Sequence, residues 1–319
     1  MAKKVSPDRL LNDLGVVRAD ATGPAARLAL QAALGSAEAA VVEKAARLIG
    51  ELKIPGLASE LAGAFDRMMS ERDSGCAAKI AIAKALIDAH TGREAEPVYL
   101  RGLRYHQREG LVDPAGALRG YCGLGLLGLR HRDAVVELTD LLADPEPAAR
   151  IAAARGLAST GREEAVLLLR LRIRAGDPSA DALSECMTGL LRLDPERSLP
   201  LVAEFLDDES GETRDVAALA LGESRHPAAL GELRRAYSRR HDDETRKTIL
   251  IAAGLLRGPE APDWLVSVVE NGLVNEALTA LQALRVHRRD GALAARVRTI
   301  VQERKVPALL RELDQHWRE

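Results

Sequence analysis

Asp144-Pro145-Glu146-Pro147-Ala148-Ala149-Arg150-Ile151-Ala152-Ala153-Ala154-Arg155-Gly156-Leu157 is the stretch whose reading decides the fold. It opens on an Asp-Pro pair, and its apolar residues Ile151, Ala154 and Leu157 fall at helical spacing. Asp can accept a hydrogen bond from the free N–H groups at a helix start, and Pro fits the first turn because its missing donor is not needed there. The same opening precedes two further helices, at Asp113-Pro114 and Asp177-Pro178. Leu157 belongs to a longer series. Apolar helical runs end at Ile49, Leu86, Leu127, Leu157, Leu190, Leu221, Leu255 and Leu284, with spacings between 29 and 41 residues. A period in that range marks stacked helix pairs.

Working outward, the pairs are expected at residues 39–53 with 55–71, 75–90 with 94–108, 115–129 with 132–143, and 146–158 with 162–175. They continue at 178–192 with 195–207, 211–223 with 226–240, 243–257 with 259–271, and 273–287 with 290–304. Residues 7–18 and 24–35 read as helices within an N-terminal cap, residues 1–38. The C-terminal segment 305–319 reads as a cap whose Leu309, Leu310, Leu313 and Trp317 cover the end of the array at residues 39–304. No strand-like alternation persists. The expected fold class is therefore all-α, a right-handed α-solenoid of about eight helix pairs forming one continuous body.

Composition agrees with this architecture. Hydrophobic residues make up 47% of the chain and aromatics only 3%, so the core must be Ala, Leu, Val and Ile on closely spaced helices. Forty-five basic and 47 acidic side chains leave a net charge of -2, which gives no global field for a polyanion. No run reaches the length of a membrane span and no signal-peptide pattern follows Met1, so a soluble, cytoplasmic protein is expected. Cys76, Cys122 and Cys186 have no Cys-x-x-Cys partner and read as small buried hydrophobes.

The segment 144–157 and the run Thr213-Arg214-Asp215-Val216-Ala217-Ala218-Leu219-Ala220-Leu221-Gly222 resemble HEAT repeats of the short bacterial kind, including those of phycobilin lyases. The resemblance covers about residues 24–304, with the first repeats and the last the least regular. It implies a protein-interaction scaffold, and it implies that second helices line the inner surface. Related arrays occur in phycobilin lyases, in a di-iron hydroxylase and in certain DNA glycosylases. The hydroxylase binds iron through repeated His-Glu dipeptides, and none occurs here. The glycosylases set an acidic residue beside aromatics in a basic groove, and Asp263-Trp264 is the neighbour pair considered for that role. No short lyase motif allows residues to be transferred.

Other motifs dissolve in context. Gly123-Leu124-Gly125-Leu126-Leu127-Gly128 matches a dinucleotide pattern, but it sits inside a helix rather than between a strand and a helix N-terminus. That helix also carries Gly116 and Gly120, so close approach of a neighbouring helix or a hinge must offset the cost of glycine. The seven histidines are scattered without ligand spacing, and no metal or cofactor is expected.

The most suggestive pattern lies on the second helices. Arg101, Arg170 and Arg234 occupy corresponding positions, with Arg104, Tyr105, Arg174 and Arg239 one turn further, and Asp140 and Ala203 take the place in the repeats between. Arg and Tyr dominate binding hot spots, so these seven residues are the candidate site for a protein partner. A solvated ladder of ion pairs is the competing reading. Asp140, Glu204 and Asp207 interrupt the row, which argues against a phosphate-tracking groove. A second basic cluster is Arg285, His287, Arg288, Arg289, Arg296 and Arg298. The sequence thus points to a non-enzymatic scaffold or adaptor with a protein partner, no membrane association and no clear self-association face. The alternatives are a lyase-like or glycosylase-like enzyme on the same array, and nucleic-acid backbone binding.

Overall fold

The computed structural model describes residues 6–239 and 242–317. Among them the chain is all-α, and the only extended pairing is an isolated bridge between Glu109 and Val112. The chain divides into two compact units, Met1–Leu157 and Ala158–Glu319.

The first unit begins with α1 (Pro7–Asp13) and α2 (Pro24–Leu34). Helix pairs follow as α3 (Ala39–Glu51) with α4 (Ala58–Met68), α5 (Ala77–Asp88) with α6 (Glu96–Gly102), and α7 (Gly116–Gly128) with α8 (Ala134–Leu141). Helix α9 (Pro147–Ser159) lies almost wholly in this unit. The first helices stack directly, α3 on α5 and α5 on α7, while α4 and α6 pack beside them.

The second unit holds α10 (Glu163–Ala175), then α11 (Ala180–Leu193) with α12 (Pro195–Glu204), and α13 (Gly211–Glu223) with α14 (Ala229–Arg239). It continues with α15 (Asp243–Leu255) and α16 (Glu260–Asn271), then α17 (Val274–Ala283) and α18 (Gly291–Arg304), and ends on α19 (Pro307–His316). Here α11, α13, α15 and α17 stack in sequence, and α19 lies on α17 and α18 with Leu309, Leu313 and Trp317 buried. Each unit is thus an α-solenoid segment. No helix among the described residues is long and apolar enough to cross a membrane.

Small residues set how closely the first helices stack. A Cβ at Gly120 would lie 2.6 Å from Ala152 Cβ of α9, and one at Gly222 would lie 2.4 Å from the Ala252 carbonyl oxygen of α15. Gly116 faces Glu146 and Gly125 faces the Tyr99 ring at similar range. Close approach accounts for the glycines of α7 except Gly128, which has open space around it. This is the plainer of the two expectations for that helix, and it offsets the conformational cost of glycine.

Two local expectations need correction. The Asp of each Asp-Pro pair lies in the turn before its helix, accepting an N–H two residues on: Ala115 at 3.0 Å, Glu146 at 2.9 Å and Ser179 at 2.8 Å. Such Asx turns aim the chain, and in α11 the cap itself is Ser179, whose hydroxyl accepts from Ala182 N–H. The second helix expected at 94–108 is also far shorter. α6 stops at Gly102, so Arg104 and Tyr105 follow its end rather than extending its face.

Candidate functional site

A buried or partly buried cation recurs behind several of the helix starts. Lys79, Arg119, Arg150 and Arg214 each follow an Asp by six residues, at Asp73, Asp113, Asp144 and Asp208. Lys79 is fully buried, and its Nζ donates to Asp73 Oδ2 and to the Met68 carbonyl, both at 3.0 Å. Arg150 Nη1 donates to the carbonyls of Asp144 and Pro145 at 2.9 and 2.8 Å. Arg214 does the same to Asp208 and Glu209, and its Nε reaches Thr245 Oγ1 of the next first helix at 3.1 Å. Arg246 Nη1 continues the pattern, 2.5 Å from Glu276.

Arg119 makes several such bonds at once. Its Nε and Nη2 grip Asp144, and its Nη1 donates to Asp113 Oδ2 at 2.7 Å and to the Tyr105 carbonyl at 3.0 Å. Burial alone would raise the Asp113 pKa, but N–H donation from Gln107, Arg119, His106 and Ala115 brings it down to about 2. Buried charge is tolerated only when paired in this way. These side chains join successive repeats and shape the connectors. Their signal in the sequence is the spacing of six residues from Asp to cation, which the Asp-Pro dipeptides alone do not carry.

The predicted row divides between the two units. In the first, Arg101 Nη1 lies 2.5 Å from Asp66 of α4, with the Phe65 ring 6.0 Å away, and Arg104 Nη2 lies 2.7 Å from Glu137 of α8. The Tyr105 ring turns toward the interior, 5.0 Å from Lys79 Nζ, while its hydroxyl donates to Gln107. In the second unit, Arg170 Nη1 donates to the Arg197 carbonyl at 3.2 Å. Arg174 pairs with Glu204 through both nitrogens at 2.6 and 3.1 Å, and these bonds hold the Glu204 carboxyl below its usual range. Arg239 lies 3.2 Å from Asp207, and Arg296 of α18 lies 2.6 Å from Asp263 of α16. Within each unit the arginines therefore reach across to neighbouring repeats, and all of these but the partly buried Arg170 stay exposed.

Arg234 differs. Its guanidinium carbon sits 6.0 Å from the Trp264 ring centroid, and it has no ion pair among the described residues. Trp264 meets the Tyr237 ring edge-on at 5.5 Å, and both rings are half-buried. Arg246 covers Tyr237 at 4.8 Å, and burial together with Glu276 pushes the phenol up to about 12. The pairing of Trp264 with Tyr237 was not read from the sequence. The signal was their shared place on successive second helices.

The remaining candidates find structural settings. All three cysteines are buried and free of disulfides, and burial raises the Cys76 and Cys122 thiols. Among the described residues no group of three or more His, Cys, Asp or Glu side chains is placed to hold a metal. In the terminal basic cluster Arg285 pairs with Glu312, Arg298 donates to the Trp317 carbonyl at 2.8 Å, and Arg288 and Arg289 are exposed.

Residues 198–285 match the family model for HEAT repeats. Over 89% of this chain and 91% of the other, the chain is similar at 18% identity and a TM-score of 0.39 to a structure described as the complex of CpcE and CpcF of phycocyanin lyase from Nostoc sp. PCC7120. None of the curated proteins compared with it matches.

Proposed function

We propose that this chain, a HEAT-repeat protein, is a non-enzymatic scaffold that holds a protein segment against its second helices. The observation that carries the reading is the set of arginines on or just beyond those helices, exposed at Arg101, Arg104, Arg174, Arg234 and Arg239 and partly buried at Arg170, interleaved in the second unit with the partly buried Tyr237 and Trp264. Planar cations and rigid rings give much contact for little lost freedom. The carboxylates among them make a mixed-charge face, which sets the alignment and encounter rate of a protein better than it tracks phosphates. On this reading segments 1–38 and 305–319 close the ends of the array.

The test is a tagged pull-down at physiological salt, with proteins and nucleic acids both identified, comparing wild type with a variant reversed at Arg101, Arg170 and Arg234. A protein captured by wild type and lost from the folded variant is the expected result. Capture of nucleic acid or of a small pigment would instead support the binding or lyase alternatives.

A further inference from the structure

In the second unit the arginines facing α12, α14, α16 and α18 are mostly spent. Arg174 is neutralised by Glu204, Arg239 by Asp207, Arg235 by Glu232 and Arg296 by Asp263. Arg234 is exposed, and among the described residues it has only the face of Trp264 for company. A guanidinium over an aromatic face keeps its in-plane N–H groups free to donate. Beside it Tyr237 and Trp264 meet edge-to-face, and each residue is only partly buried. Apolar contact surface and one uncompensated planar cation thus lie side by side.

We infer that Arg234, Tyr237 and Trp264 form an anchor subsite for a partner segment in which an Asp or Glu side chain adjoins an aromatic or aliphatic one. The inference rests on the scaffold reading and names what the scaffold holds. Charge complementarity selects the occupant. One free guanidinium matches one carboxylate in bidentate geometry. A polyphosphate chain would need several free cations in succession, and the flanking ones are already paired. The apolar neighbour of the carboxylate would pack against these two partly buried aromatic side chains, and aromatic and Arg anchors of this kind are enriched at binding hot spots.

The experiment uses the full chain and three labelled probes followed by fluorescence anisotropy: a peptide of Phe-Glu pairs in a Gly-Ser background, the same peptide with Gln for Glu, and oligouridylate. The Phe-Glu peptide should bind saturably. Arg234→Gln and Trp264→Leu should each weaken it by about tenfold or more, and Arg289→Gln should not change it. Circular dichroism melting of each variant identifies any that fails to fold, and Arg234→Lys keeps the charge without the planar fork. Equal binding of the Phe-Gln peptide, indifference to Arg234→Gln and Trp264→Leu, or oligouridylate binding through the same residues would each overturn the inference. If an Arg101 and Arg170 reversal loses partner capture while Trp264→Leu retains it, the anchor fails and the scaffold stands. If wild type and every variant capture the same proteins, the scaffold reading itself fails.

Discussion

Arg119 of α7 holds Asp144 through two parallel hydrogen bonds, from Nε at 2.7 Å and from Nη2 at 2.8 Å, and both side chains are almost wholly buried. Because Asp144 stands in the turn before α9, this one fork fixes the stacking of two successive repeats. Removing one partner of a buried pair strands the other, at a cost of about 3–5 kcal/mol, whereas replacing both by apolar residues of similar size is often neutral. Arg119→Met should therefore lower the urea midpoint sharply. Arg119→Met combined with Asp144→Leu should recover part of the loss, short of wild type, because Asp113 and the Tyr105 carbonyl still lose their donor.

The same network predicts acid sensitivity. Asp113, at about 2, lies below its unfolded value, so its contribution is complete above pH of about 5 and is lost as pH falls from about 4 towards 2. A shift of that size corresponds to about 2 kcal/mol. Thermal unfolding followed between pH 7 and pH 2.5 should show a steep decline in that acid window for wild type. Asp113→Asn should start less stable at neutral pH and decline less. An unchanged pH slope in the variant would remove Asp113 from the account.

The glycines of α7 offer a paired test. A Cβ at Gly125 would fall 2.5 Å from the buried Tyr99 ring, whereas one at Gly128 meets nothing within 4 Å. Gly125→Ala should destabilise by about 1–3 kcal/mol through overpacking. Gly128→Ala should stabilise by up to about 1 kcal/mol, since alanine loses less freedom in a helix. Opposite shifts in melting temperature would show that these glycines serve close packing. If both variants stabilise, the crowding at Gly125 is relieved by small movements of α6.

At the other end of the chain, Leu309, Leu313 and Trp317 are buried against the last pair, and Glu312 grips Arg285. Ending the chain after Lys305 uncovers that apolar surface and leaves Arg285 without its carboxylate. The truncated protein should bind a hydrophobic dye and lose protection from amide exchange in α17 and α18, while α3 to α5 exchange as before. Uniform loss across the chain would mean instead that the segment supports the whole array.

The helices were legible because burial imposes a local period, as at Val41, Ala45, Leu48 and Ile49, which needs no knowledge of the partner surface. The end of α6 was not. Leu103 continues the apolar spacing, but the chain leaves the helix beyond Gly102, and the Tyr105 carbonyl and the Gln107 N–H then bond to Arg119 and Asp113. Those partners lie in the next repeat and exert no local periodic signal. The candidate row shows the same division. Positions such as Arg101 and Arg234 follow from repeat spacing, whereas Asp66 beside Arg101 and Trp264 beside Arg234 lie a repeat away and depend on how the second helices meet.

That exposure decides how the row should behave when its charges are changed. Arg174 and Glu204 keep 51% and 55% of their side-chain surface in contact with solvent, and Arg101 and Asp66 keep 46% and 50%. Exposed pairs contribute roughly 0–1 kcal/mol, because water and salt screen the attraction and two long side chains lose freedom. Arg174→Glu and Glu204→Arg should each shift stability by less than about 1 kcal/mol, and the charge-swapped double variant should recover much of it. By the same reasoning reversal at Arg101, Arg170 and Arg234 should leave the far-ultraviolet dichroism spectrum and the cooperativity of urea unfolding unchanged. Loss of partner capture in that variant would then report on recognition. Collapse of the unfolding transition would assign the row to holding neighbouring helices together, and the binding surface would have to be sought elsewhere.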